Sequence, residues 1–144
     1  MVCLGNICRS PLAEGILRSK VNSDEVFVDS AGTAAYHVGN KPDVRSIAVA
    51  AKYGLNIKNQ SARKFTVRDF DDFDRIYAMD ESNYHNILSL ARNINDEQKV
   101  CMILNETNPN SNQNVPDPYY GGDQGFENVY QMLDEACEII AKKL

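Results

Sequence analysis

Met1-Val2-Cys3-Leu4-Gly5-Asn6-Ile7-Cys8-Arg9-Ser10-Pro11 opens the chain and decides how the rest is read. Met1-Val2-Cys3 has the character of a strand end. Leu4 to Arg9 forms a short loop, since Gly5 and Asn6 tolerate the positive φ angles of a tight turn. Ser10-Pro11 then starts a helix, because Ser caps well and Pro suits the first helical position. Strand, tight loop and helix in that order begin a parallel βαβ unit.

Working outward, Leu12, Ile16, Leu17 and Val21 give the first helix an apolar stripe. Val26-Phe27-Val28 is expected to be a short strand closed by Asp29-Ser30-Ala31-Gly32. Residues 33–42 make a polar loop with Tyr36 and His37. A helix is expected from Asp43 to Tyr53, with Val44, Ile47, Ala48 and Ala51 on its inner face and Gly54 as its stop. Thr66 and Asp69 resemble a capping box for one short turn. Arg75–Met79 is a strand and Asp80–Arg92 a helix, with Tyr84, Ile87, Leu88 and Ala91 inward. Val100–Leu104 is another strand, and 105–116 a long surface loop. The last helix is the clearest: Phe126, Val129, Tyr130, Leu133, Ala136, Cys137, Ile140 and Leu144 follow the helical period. Strands alternating with helices predict an α/β fold, a central parallel sheet of about four strands covered on both faces. Ligands of such sheets bind at the carboxyl ends of strands, and Cys3 sits at one.

Composition narrows the function classes. The 144 residues, 43% hydrophobic, suit a single domain over 1–144. Lys and Arg total 15 against 20 Asp and Glu, a net charge of −5, so no nucleic-acid partner is expected. Apolar runs are only a few residues long, so no membrane partner is expected. No charged-then-apolar leader is visible. Cys3, Cys8, Cys101 and Cys137 do not form a secreted disulfide framework, which suggests a reducing cytoplasm. His37 and His85, the two histidines, have no partners at metal-ligand spacing and read as loop or surface residues. Neither a metal nor another cofactor is expected. The Asp-rich run Arg68–Arg75 reads as a solvated face.

The chemistry concentrates between Cys3 and Ser10. A thiol at the foot of a helix faces unpaired backbone N–H groups and the positive end of the helix dipole, and both favour a thiolate. The same N–H groups, from Leu4, Gly5, Asn6, Ile7 and Cys8 onward, can cradle a phosphate. Arg9 can grip two phosphate oxygens in a fork. Ser10 can donate to the sulfur and ease its departure. The plain alternative is a buried structural cysteine beside an exposed arginine. The strand–loop–helix setting favours the chemical role.

Cys3 through Pro11 resembles the signature loop of the low-molecular-weight protein tyrosine phosphatases. The resemblance extends along nearly the whole chain: Asp29-Ser30-Ala31-Gly32, the Asp71–Asp80 stretch ending in Ala78-Met79-Asp80, and Asp117-Pro118-Tyr119-Tyr120-Gly121 fall in the family's order. It implies a phosphatase I-like, Rossmann-like three-layer fold and hydrolysis of phosphotyrosine in proteins through a phospho-cysteine. It further implies that Cys3 is the nucleophile, that Arg9 binds phosphate and that Asp117 is the general acid, although Asp before Pro is also a common turn. Tyr119 and Tyr120 would line the pocket mouth, with Tyr36 as the facing wall. Ser30 would tether a strained Asn6, together with Gln60, which stands where the family has His. Cys8 matches members that form a reversible disulfide with the nucleophile. Ile7 stands where relatives resembling protein-arginine phosphatases carry Thr, which favours a phosphotyrosine ring.

Inorganic phosphate or vanadate should inhibit. A monomer is expected, with a weak dimer as the alternative. The rivals are a protein-arginine phosphatase, an arsenate reductase on the same fold, and a redox sensor or phospho-ligand binder without turnover. An arsenate reductase needs two further cysteines close together, and Cys101 and Cys137 are far apart in sequence. Family members carry several apolar residues before the cysteine. With only Met1 and Val2 ahead of Cys3, the first strand is expected to be truncated. A chain beginning at Met1 would then be of low stability, or would take a strand from a partner chain.

Overall fold

The computed structural model describes residues 1–144. Four short strands, β1 (Val2–Cys3), β2 (Ala31–Gly32), β3 (Ile76–Ala78) and β4 (Val100–Met102), form one parallel sheet in the order β2-β1-β3-β4. The helices are α1 (Arg9–Lys20), α2 (Val44–Lys52), α3 (Asp69–Asp72), α4 (Glu81–Leu88), α5 (Ile94–Gln98) and α6 (Gly122–Lys143), with a 3₁₀ turn at Ile103–Asn105. The chain runs from β1 to β2 on one side, then returns to β3 on the other. Such a reversal leaves a crevice at the carboxyl end of the central strand. Cys3 ends that strand.

Side chains alternate across the strands, as a two-residue period requires. Cys3 and Tyr77 face a core built with Leu12, Ile16, Val49, Phe126 and Leu133 of α1, α2 and α6. Val2, Ile76, Ala78 and Val100 face a second core with Phe65, Phe70 and Ile87. The sheet is thus covered on both faces, as expected. The α6 stripe is buried from Phe126 to Ile140, while Leu144 is exposed. The first strand is short, two residues, yet it pairs with β2 and with β3. Val2 and Cys3 thus occupy the middle of the sheet.

Several expectations need correction. Val26–Val28 is not a strand. β2 is Ala31–Gly32, paired in register with Val2 and Cys3. The inner face of α2 is Ser46, Val49 and Ala50, with Ile47 half-buried and Val44 exposed. Ser46 turns inward because its hydroxyl donates to the Cys8 carbonyl at 3.1 Å. The helix expected over Asp80–Arg92 ends at Leu88, and α5 follows as a separate turn. Asn93 caps α5 by accepting from the Asp96 N–H. Of the Thr66–Asp69 capping box, only the returning half forms: Asp69 accepts from the Thr66 N–H at 2.8 Å. Asp69 is buried against Arg63, so the acidic run is not uniformly solvated.

Gly32 of β2 shows how tightly the sheet backs the loop after β1. A Cβ there would lie 2.7 Å from the Leu4 carbonyl oxygen and 3.1 Å from the Gly5 carbonyl carbon, both backbone. Gly32→Ala should cost about 1–3 kcal/mol by overpacking. A thermal melt is expected to show Tm lowered by several degrees; an unchanged Tm would contradict this close approach.

Candidate active site

The loop Leu4–Cys8 joins β1 to α1 and closes around the Cys3 sulfur. Asn6 has φ of 57°, a left-handed conformation that an L residue adopts only at a cost. Three hydrogen bonds hold it. Its Nδ2 donates to Ser10 Oγ at 2.8 Å and to Ser30 Oγ at 2.9 Å, and its Oδ1 accepts from the Arg63 N–H at 3.0 Å. This turn points the Asn6 N–H at Cys3 Sγ, 3.3 Å away. Ser10 Oγ lies 3.0 Å from the same sulfur. Because Ser10 accepts from Asn6, its own hydrogen is left for the sulfur.

Ser30 is where the sequence places the tether, but Gln60 is not. Gln60 Nε2 donates to the Pro11 carbonyl at 3.0 Å and does not touch Asn6. The Arg63 backbone takes that role, because the bridge between Gly32 and Lys64 carries residues 62–64 alongside β2 and up to the loop. Behind Ser30 stands Glu14, buried on α1. Its Oε1 accepts from the Ser30 hydroxyl at 2.7 Å, and its Oε2 lies 3.0 Å from Arg18. Burial pushes the Glu14 carboxyl above the usual range, against the pull of Ser30 and Arg18.

Arg9 is only 3% exposed. Its Nη1 donates to Asp80 Oδ2 at 2.6 Å and to the Val115 carbonyl at 3.0 Å. Both Nη1 hydrogens are thereby used, and Nη2 and Nε remain for a ligand. Asp80 was not singled out in the sequence as a site residue, although its place after β3, across the crevice from β1, could have pointed to it. It caps α4 with its other oxygen.

Asp117 hangs over the loop from the opposite side. Its side chain is 46% exposed, with Oδ2 4.0 Å from Arg9 Nη2 and Oδ1 accepting from the Tyr119 N–H at 3.0 Å. Cys3, Leu4, Gly5, Ile7, Cys8, Arg9 and Asp117 line one cavity of about 460 Å³. Tyr36, Tyr119 and Tyr120 line it too, with the last two rings packed edge to face at 5.0 Å. His37, a loop residue as expected, also lines it. Its ring closes over Gly5, where a Cβ would meet Cδ2 at 2.9 Å.

Another cavity, of about 470 Å³, lies between Tyr84, His85, Cys101 and Lys143, away from the crevice. Burial pushes the Cys101 thiol up, and the Cys3 cavity alone combines a cysteine, a buried arginine and a carboxylate. Cys8 lies beside Cys3. Its thiol is pushed up to about 12, by burial first and then by Asp43, Cys3 and Asp117. Cys137 is packed in the core with its thiol pushed up to about 12 by burial, consistent with inert packing.

A cysteine and an arginine on one amide-lined loop, facing a carboxylate, define a phosphate-ester hydrolase of the cysteine type. The sequence profile described as "Low molecular weight phosphotyrosine protein phosphatase" matches residues 1–144. The fission-yeast (Schizosaccharomyces pombe) protein of that name is 43% identical over 148 aligned residues, covering 99% of this chain and 94% of its own. A crystal structure of a protein tyrosine phosphatase from Entamoeba histolytica, with Hepes in its active site, superposes with a TM-score of 0.90. It is 37% identical and covers 99% of this chain and 92% of that one. A Drosophila arginine phosphatase is also similar, at a TM-score of 0.85 and 33% identity, covering 99% and 94%. The chain belongs to the low molecular weight phosphotyrosine protein phosphatase family.

The raised Glu14 carboxyl has a definite pH signature. As pH rises above the ordinary 4.5, the unfolded chain loses this proton while the folded chain keeps it. The stability contributed by protonated Glu14 is thus present below 4.5 and lost as pH climbs through its raised folded value. Urea unfolding of wild type and Glu14→Gln at about pH 4 and about pH 7 should show wild type losing ground to the variant at the higher pH. An identical difference at both would contradict a raised Glu14.

Proposed function

We propose that residues 1–144 form one catalytic domain that hydrolyses phosphotyrosine in proteins through a phospho-cysteine. The observation that carries this is the convergence of Cys3, Arg9 and Asp117 on one aromatic-walled cavity. In the first step the Cys3 thiolate attacks phosphorus, an S–P bond forms and the P–O bond to the tyrosine ring breaks. Asp117 gives its proton to the departing phenolic oxygen. The loop N–H groups and the free edge of Arg9 hold the three equatorial oxygens while charge shifts between them. In the second step Asp117, now a carboxylate, takes a proton from water. The oxygen of that water attacks phosphorus, and phosphate and the Cys3 thiolate are released. The Ser10 hydroxyl supports the sulfur as it leaves.

Tyr36, Tyr119 and Tyr120 suit an aromatic ring by stacking, and Ile7 adds an apolar wall. These residues favour phosphotyrosine over the phosphoarginine suggested by the Drosophila neighbour. The Hepes in the Entamoeba site, with its sulfonate, supports a tetrahedral-anion cradle, so inorganic phosphate and vanadate should compete with substrate. No helix is long and apolar enough to cross a membrane. The free cysteines fit a reducing, cytoplasmic setting.

Turnover of para-nitrophenyl phosphate and of a phosphotyrosine peptide tests the mechanism. Cys3→Ser should abolish activity, while Asp117→Ala should lower kcat by about 10²–10⁴. Vanadate should inhibit the wild type. Full activity in Cys3→Ser, or much faster cleavage of phosphoarginine than phosphotyrosine, would overturn the assignment.

Cys8 serves as the resolving thiol. Peroxide oxidises Cys3 to a sulfenic acid, the Cys8 sulfur displaces its hydroxyl as water, and a disulfide forms. Mass spectrometry after mild peroxide should find a Cys3–Cys8 crosslink that dithiothreitol removes. Finding sulfinic Cys3 in its place would refute the role.

A further inference from the structure

Outside the cavity, one side chain joins the two loops that meet above Cys3. We propose that Arg45 is a positioning residue that fixes the Asp117 loop over the cysteine loop, so that the general acid is held at the leaving oxygen. This rests on the role given to Asp117 above. Arg45 lies in the first turn of α2 and does not line the cavity. Its Nε and Nη2 fork onto the Asp43 carboxylate at 3.1 and 3.0 Å, and its Nη1 donates to the Tyr119 carbonyl at 2.9 Å. The Tyr119 N–H in turn donates to Asp117 Oδ1. Two hydrogen bonds therefore connect the guanidinium to the acid through a single residue.

The other end of the connection is anchored in the nucleophile's loop. The Asp43 N–H donates to the Ile7 carbonyl at 2.8 Å, and the Ser46 hydroxyl donates to the Cys8 carbonyl. The start of α2 thus holds the outer carbonyls of the cysteine loop while Arg45 holds the acid loop. The guanidinium is wedged between two rings, 5.3 Å from the Tyr119 centroid and 4.6 Å from that of Phe126 on α6. Arg45 in turn holds the Asp43 carboxyl below the usual carboxylate range, as a persistent ion pair requires.

Arg9 also approaches this loop, but only at 4.0 Å from Nη2 to Asp117 Oδ2. No other side chain from outside the loop hydrogen-bonds to residues 117–120. Asp117 is half-exposed and Tyr120 91% exposed, and of residues 117–120 packing buries Pro118 alone. A displacement of about 1 Å in a reacting group can cost a factor of about 10². An arginine that pins the loop through its backbone would therefore act on proton transfer and leave phosphate binding intact.

Leaving-group dependence separates that role from a merely structural one. Phenyl phosphate needs a proton on its departing oxygen, whereas 2,4-dinitrophenyl phosphate releases a stable anion. Arg45→Met, which keeps the apolar stem against Phe126, should lower kcat/KM for phenyl phosphate about ten- to a hundredfold, no more than the lower end of the roughly 10²–10⁴ a positioned acid supplies. For the dinitrophenyl ester the loss should stay within about threefold. Arg45→Lys, which can still donate to the Tyr119 carbonyl, should recover part of the difference. Equal losses on both substrates, or no loss, would overturn the proposal. Asp117→Asn reports on the acid separately. The same split, larger, is expected there; if it is absent, the acid role of Asp117 fails and the proposal falls with it. If Arg45→Met does not fold, Asp43→Asn, which loosens the anchor of Arg45, carries the same comparison.

Discussion

The left-handed turn at Asn6 is the constraint on which the rest of the site depends. One residue held at φ 57° directs its N–H inward, toward the sulfur. That conformation is unfavourable for an isolated Asn by about 1–2 kcal/mol. It persists because Ser10, Ser30 and the Arg63 backbone saturate both ends of the Asn6 amide. Those partners come from α1, from the approach to β2 and from the segment bridged to β2. The whole βαβ framework thus determines one backbone angle. Strain at a nucleophile's loop is what a preformed anion site needs, since the donors are oriented before the ligand arrives.

Charge is distributed on the same principle. Arg9 is buried, and removing one partner from a buried ion pair commonly costs about 3–5 kcal/mol. Asp80 and the Val115 carbonyl satisfy one nitrogen of its fork and leave the rest toward the cavity. Asp117, by contrast, remains half-exposed on its own loop, where the proposed mechanism has it give and take a proton. A rigid loop and a lightly held carboxylate thus face each other. Their separation is governed by contacts outside the cavity, with Arg45 bridging the two loops. The polar chain from Asn6 through Ser30 to Glu14 and Arg18 extends the loop's support to the surface of α1.

What was legible in the sequence followed from locality. Cys3, Asn6, Arg9 and Ser10 are close in the chain, so strand, loop and helix signals placed them together before any tertiary contact was known. The α6 stripe was equally plain because its period runs for many turns. The misreadings share the opposite property. Val26–Val28 has strand residues, yet the paired strand is Ala31–Gly32. On α2 the apolar count favoured Val44 and Ala48, but a hydroxyl bonded to the Cys8 carbonyl turned Ser46 inward. Gln60 was assigned by position in a motif, whereas the tether is a backbone N–H, which no side-chain pattern reveals. Asp80 and His37 enter the site only through the fold, one across the crevice and one over Gly5.

In the proposed mechanism phosphate passes through the Cys3 sulfur. Rapid quenching of the wild type with substrate labelled in its phosphate, followed by peptide mapping, tests it directly. A label approaching one phosphate per chain is expected on the peptide that contains Cys3. A burst of product with no label on the protein, or with the label on another residue, would contradict it.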